Sequence, residues 1–90
     1  MHVHTRLSEP AIVAGARLRA RRFLVEGSSP RLLAKELWLM YVNAGYPEQL
    51  AEWSGLDHYY DMLEGGVIYG RVIDIDIEVT TAARALAEDA

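Results

Sequence analysis

Residues 29–45 read SPRLLAKELWLMYVNAG, and this stretch contains the most apolar helix that the chain predicts. Ser29 supplies an N-cap oxygen, Pro30 occupies a first-turn position where no amide hydrogen is needed, and the glycine at the end suits a left-handed terminus. We therefore predict a helix over 30–44. Apolar side chains surround it almost completely, so we expect it either at the centre of a domain or as half of a dimer interface.

The segment before it shows the same signals. Ser8, Glu9 and Pro10 predict a helix start and Gly27 a helix end, which places a helix over about 9–26. Its apolar side chains fall on one face at the helical period. The opposite face is basic and carries the arginines of this helix, Arg17, Arg19, Arg21 and Arg22.

The segment after Gly45 predicts shorter elements. Tyr46 and Pro47 introduce one helical segment that ends at Gly55, and Asp57 caps a second that ends at the glycine pair 65–66. We treat these glycines as helix stops.

The C-terminal third fits two patterns. Isoleucines and valine alternate with acidic residues over 73–79, which is typical of a half-buried strand, and short strands near 2–6 and 67–79 could then pair. The apolar residues from Val72 to Leu86 also form a helical stripe, with acids suited to its first turn. We favour a helix over 74–88. The overall expectation is a mainly α domain of four to five helices around 30–44.

Composition limits the class of protein. Ninety residues, half of them apolar, form one domain over 1–90, with residues 1–7 as a candidate flexible start. The chain has no cysteine and no apolar run long enough to span a membrane, and its first residues are too polar for a signal peptide. We expect a cytoplasmic protein that does not bind a membrane.

The candidate chemistry is sparse. His2 and His4 could hold a metal ion only with a third ligand, and we interpret them as solvated residues of the terminus. His58 lies near Asp61 on a short helix, which we interpret as a polar surface. No nucleophile, phosphate loop or calcium loop completes a site. We therefore expect no enzyme activity, no metal and no cofactor.

Charge is the most unusual property of the chain. Residues 1–35 carry a net charge of +5 and residues 36–90 a net charge of −9. The basic helix could grip nucleic acid through Arg17, Arg19, Arg21 and Arg22. However, the helix after it is apolar, and the total charge of −4 opposes binding to a polyanion. We keep nucleic-acid binding as the alternative function.

The main prediction is a protein interaction module, comparable in size and charge to immunity proteins, antitoxins, inhibitors and adaptors. Aromatic and acidic side chains mix after residue 52, as in surfaces that bind basic partners. A partner protein with a basic surface is expected, and a homodimer is compatible. The predicted partner-binding residues are Glu52, Trp53, Asp57, Tyr59, Tyr60, Asp61, Glu64, Asp74, Asp76 and Glu78. Reversing the charges of Asp57, Asp61 and Glu64 is expected to weaken binding and preserve the fold.

Overall fold

The computed structural model describes residues 9–68 and 70–88 and is mainly α, as predicted. Within these residues, four α-helices and one turn of 3-10 helix follow one another. They are α1 (Glu9–Glu26), α2 (Pro30–Asn43), the 3-10 helix (Glu48–Leu50), α3 (Ala51–Glu64) and α4 (Val72–Glu88). The proposed strand near 2–6, the His2 and His4 pair and the flexible start over 1–7 lie outside the described residues.

The predicted ends of α1 and α2 are confirmed. The Ser29 hydroxyl accepts a hydrogen bond from the Leu32 amide at 3.3 Å, which satisfies one free donor of the first turn of α2. Gly27 has a φ of 67° and donates its amide to the Phe23 carbonyl at 2.8 Å. Gly45 also has a positive φ, of 82°. Glycine adopts this left-handed geometry without strain, so both helices end where the glycines allow the chain to turn.

Helix α2 is the central helix of the fold. It contacts α1, α3, α4 and the 3-10 helix, and α4 in turn packs against α1 and α3. Leu33, Ala34 and Leu37 of α2 are buried in the core. However, Leu32 and Leu39 point to solvent, so α2 is covered on its inner side only. Exposed leucines on one otherwise central helix are compatible with a small domain, because its surface-to-volume ratio is high.

The predicted helix stop at the glycine pair 65–66 is confirmed, because α3 ends just before it. The predicted division into two short helices is wrong, since α3 is one continuous helix through Gly55. A glycine inside a helix costs only about 1 kcal/mol relative to alanine. The packing of α3 offsets this cost, because Trp53 and Tyr60 are both fully buried against the core. Asp57 is consequently a mid-helix residue and caps nothing.

Residues 72–88 are helical, and the strand alternative over 67–79 is wrong for its described residues. Helix α4 begins at Val72, two residues before the predicted start. Ile75 and Val79 are buried, whereas Ile73 and Ile77 are exposed. The alternation of isoleucines therefore separates an inner and an outer side of a helix, because the residues at 75, 79, 82, 83 and 86 share one side at the helical period. None of the helices over 9–68 and 70–88 is apolar and long enough to traverse a membrane.

Candidate functional site

The predicted partner-binding residues on α3 lie on two different sides of that helix. Trp53, Asp57 and Tyr60 follow one another at four and three residues and face the core, where both aromatic rings are fully buried. Glu52 and Tyr59 lie on the outer side and are exposed. The assignment of Trp53, Asp57 and Tyr60 to a binding surface is therefore corrected, because a partner cannot reach these side chains in the folded domain.

Arg31 of α2 binds three acidic residues of α3, Asp57, Asp61 and Glu64. We call these four residues the Arg31 cluster. Its guanidinium donates to Asp57 at 2.9 Å, to Asp61 at 2.7 Å and to Glu64 at 3.3 Å. The carboxylate of Asp57 is almost completely buried, whereas those of Asp61 and Glu64 are about half exposed. One arginine thus connects the start of α2 to two turns of α3.

The Arg31 cluster changes the expected effect of reversing the acidic triple. Replacing Asp57, Asp61 and Glu64 by lysine would surround Arg31 with like charges at a partly buried position. We therefore correct the expectation that this triple variant keeps its fold. The three carboxylates are structural, because they neutralise a cation of the central helix.

Tyr60 and Asp76 join α3 to α4 beside this cluster. The Tyr60 hydroxyl donates to the Asp76 carboxylate at 2.5 Å, and the Arg31 guanidinium lies 5.1 Å from the centre of the Tyr60 ring. Burial raises the pKa of the Tyr60 phenol well above its ordinary value, and the hydrogen bond to Asp76 raises it further. Asp76 is thus occupied within the fold and is only half exposed.

We expect the raised pKa of Tyr60 to make the fold sensitive to alkali. An unfolded tyrosine ionises near pH 10, whereas the folded phenol stays neutral there. The neutral phenol therefore contributes its full stability below about pH 10, and this contribution falls by up to about 1.4 kcal/mol per pH unit above it. Urea unfolding between about pH 9 and 11 measures this slope. Tyr60→Phe lacks the titrating group and should show a flatter slope; equal slopes would contradict the assignment.

The exposed part of the predicted surface lines an open groove between α3 and α4. We call it the α3–α4 groove, and its volume is about 480 Å³. Its lining from α3 is Glu52, Gly55, Leu56 and Tyr59, and its lining from α4 is Ile77, Glu78, Thr81, Ala82 and Ala85. Tyr59 is 46% exposed and Ile77 is 58% exposed. Two large apolar side chains of the groove are thus exposed to solvent.

The electrostatics of the groove are acidic. Glu52 and Glu78 form no ion pair with any residue of 9–68 or 70–88, and the lining contains no lysine or arginine. Asp74 lies in an adjoining recess that shares Tyr59 and Glu78 with the groove, and it pairs with Arg71 at 3.1 Å. The structure therefore brings together Glu52, Tyr59 and Glu78, with Asp74 beside them.

The arginines of α1 are divided between internal contacts and solvent. Arg19 donates to both carboxylate oxygens of Glu36 on α2, each at 2.9 Å. Arg21 donates to the Ala87 carbonyl near the end of α4 at 3.1 Å. Arg17 is half-buried, and Arg22 is exposed. The guanidinium groups of Arg19 and Arg21 thus hold α1 to its neighbours, which argues against α1 as an arm that grips phosphates.

Sequence reasoning missed Arg31 and the apolar half of the groove. Asp57, Asp61 and Glu64 repeat at four and three residues on one side of a helix, and such a row needs a nearby cation. Arg31 is one of the few charged side chains of the central helix and is therefore a candidate for that cation. The row of acids was thus the signal in the sequence that could have identified Arg31. No signal in the sequence indicates that Ile77 is exposed, because the strand pattern over 73–79 places all the isoleucines on the same face. Within the described residues, no three His, Asp or Glu side chains are grouped to hold a metal ion.

Comparison of the chain with protein-family models, with curated proteins and with solved structures gives no significant match.

Proposed function

We propose that this chain is a small cytoplasmic protein interaction module, of the inhibitor or adaptor type, that binds a basic and apolar segment of a partner protein in the α3–α4 groove. The observation that carries the proposal is the combination of exposed Tyr59 and Ile77 with the carboxylates of Glu52 and Glu78, which form no ion pair within the described part of the chain. The proposed role is binding and involves no catalysis.

The apolar residues of the groove supply affinity in this proposal. Burying apolar surface contributes about 25 cal/mol per Å², and aromatic residues are frequent energetic hot spots of interfaces. The Tyr59 ring can cover a partner side chain while its hydroxyl stays in contact with water. Leu56 and Ile77 line the same groove and add to its apolar area.

The carboxylates of the groove supply selectivity. Glu52 and Glu78 attract lysine or arginine on the approaching segment and oppose acidic segments. Because the lining has no cation, a basic partner finds no like charge there. A segment that alternates apolar and basic side chains along one helical face fits both properties.

A synthetic helical peptide with leucine on one face and lysine on the other tests this proposal. We expect saturable binding by fluorescence anisotropy, and we expect an otherwise identical peptide with glutamate in place of lysine not to bind. Glu78→Lys should weaken binding of the basic peptide by about tenfold, because one attraction becomes a repulsion at the groove. Tyr59→Ala should weaken it by at least about tenfold.

Glu26→Lys is the matched control for Glu78→Lys. It changes the net charge by the same amount at an exposed site on α1, outside the groove. We expect it to leave the affinity within about twofold, because a distant exposed charge is screened by salt. Equal losses in the two variants would mean that only the net charge attracts the peptide, and the groove would be rejected as the binding site.

A further inference from the structure

The solvent side of α1 carries a stripe whose chemistry is complementary to the groove. Leu18, Arg22 and Val25 follow one another at four and three residues, so they share one side of the helix. Leu18 is 59% exposed and Val25 is 86% exposed. Arg22 lies between them, and its contact is a surface pair with Glu26 at 3.5 Å. We call these three residues, Leu18, Arg22 and Val25, the α1 stripe.

We propose that the α1 stripe of a second copy of this chain occupies the α3–α4 groove. This inference rests on the proposed function and names its partner. Leu18 and Val25 meet the apolar lining of the groove, and Arg22 meets its carboxylates. Apolar area thus faces apolar area, and a cation faces two anions that have no partner among the described residues.

The occupant is a second molecule because one molecule cannot supply both halves of the contact. Ala16 and Ala20 of α1 are fully buried, so the helix packs inward through them and turns its stripe to solvent. The groove lies between two other helices of the same domain. Two grooves repel each other through their carboxylates. Two stripes bring no new anion to Arg22, which pairs with Glu26 of its own molecule. The favourable contact is therefore stripe to groove.

A contact between two different surfaces determines the form of the assembly. After the first contact, one molecule keeps a free groove and the other keeps a free stripe, so further copies can add as a ring or as a chain. One stripe over two helical turns buries less than the roughly 800 Å² per partner of a standard interface. We therefore expect weak association, with a dissociation constant between about 1 µM and 1 mM.

Sedimentation velocity of the full chain tests the inference. Between about 10 µM and 1 mM, the mean sedimentation coefficient should rise with concentration and fall again at high salt. Glu78→Arg and Arg22→Glu should each weaken association by at least about tenfold, because like charges then face each other. An equal mixture of the two variants should associate again, because the unchanged stripe of the Glu78→Arg variant fits the unchanged groove of the Arg22→Glu variant.

Lys35→Glu is the matched control for Arg22→Glu. It makes the same change in net charge at an exposed position on α2, and association should persist. A wild-type chain that stays monomeric over this range would overturn the inference, as would a mixture that fails to recover. The basic peptide then separates the two proposals. Peptide binding by a monomeric chain retains the proposed function, whereas loss of both peptide binding and self-association removes both.

Discussion

Arg31→Met is expected to destabilise the protein by about 3 kcal/mol, although Arg31 itself lies at the edge of the core. The carboxylate of Asp57 is 8% exposed and receives its charge-assisted hydrogen bond from Arg31 at 2.9 Å. Methionine keeps most of the volume and removes the charge, so Asp57 is left buried without a cation. Breaking one side of a buried ion pair typically costs about 3–5 kcal/mol, and the partial exposure of Arg31 favours the lower end. Urea unfolding measures the change.

Two further variants separate the ion pair from other effects. Arg22→Met makes the same substitution at an exposed pair and should cost less than about 0.5 kcal/mol. Arg31→Met combined with Asp57→Leu should recover a large part of the loss, because an apolar replacement of a buried pair is often close to neutral. A loss in the double variant equal to the sum of the single losses would contradict coupling between the two residues.

The helices whose bounds could be predicted most closely are those with chemical signals at their ends. Serine with proline opened α2, glycine with a positive φ closed α1, and both predictions were confirmed. These signals are local, because they depend on hydrogen bonds and dihedral angles within one turn. The predicted helix stop at Gly55 was wrong because the residues before and after this glycine both pack on the core and hold the helix together. Here Trp53 and Tyr60 pack on the core from either side of it.

The error at Gly55 explains why the candidate site could be predicted only in part. Treating α3 as two helices removed the phase relation between residues on the two sides of Gly55. One continuous helix aligns Trp53 with Tyr60 on the inner side and Glu52 with Tyr59 on the outer side. The inner pair and the outer pair lie within the same mixture of acidic and aromatic residues, so composition does not distinguish them. Only the phase of the whole helix separates structural residues from accessible ones.

The groove depends on a second relation that no local signal contains. Ile77 and Glu78 join Tyr59 only because α4 packs beside α3. The acidic character of both segments was visible in the sequence, and this is why Glu52, Tyr59 and Glu78 were selected. The row of acids that pairs with Arg31 had the same composition but proved structural. The decisive difference is the position of one arginine, which tertiary packing sets.

Trp53→Ala is expected to cost about 3–5 kcal/mol, a large part of the stability of a domain of this size. Trp53 is fully buried, and its indole N–H has no acceptor among the described residues. Its contribution is therefore packing and apolar burial, which alanine removes while leaving a cavity. Tyr59→Ala provides the contrast. Because Tyr59 is exposed on the other side of the same helix, its loss should cost less than about 1 kcal/mol.

Trp53→Phe completes the test of what the indole does. Phenylalanine keeps an aromatic ring and removes the N–H that is buried without an acceptor, so part of the lost packing is offset by relief of a polar desolvation cost. We expect Trp53→Phe to lose less than half of the free energy of unfolding that Trp53→Ala loses, as measured by thermal and urea unfolding of the full chain. A Trp53→Ala variant as stable as Tyr59→Ala would place the indole at the surface and restore it as a partner-binding residue.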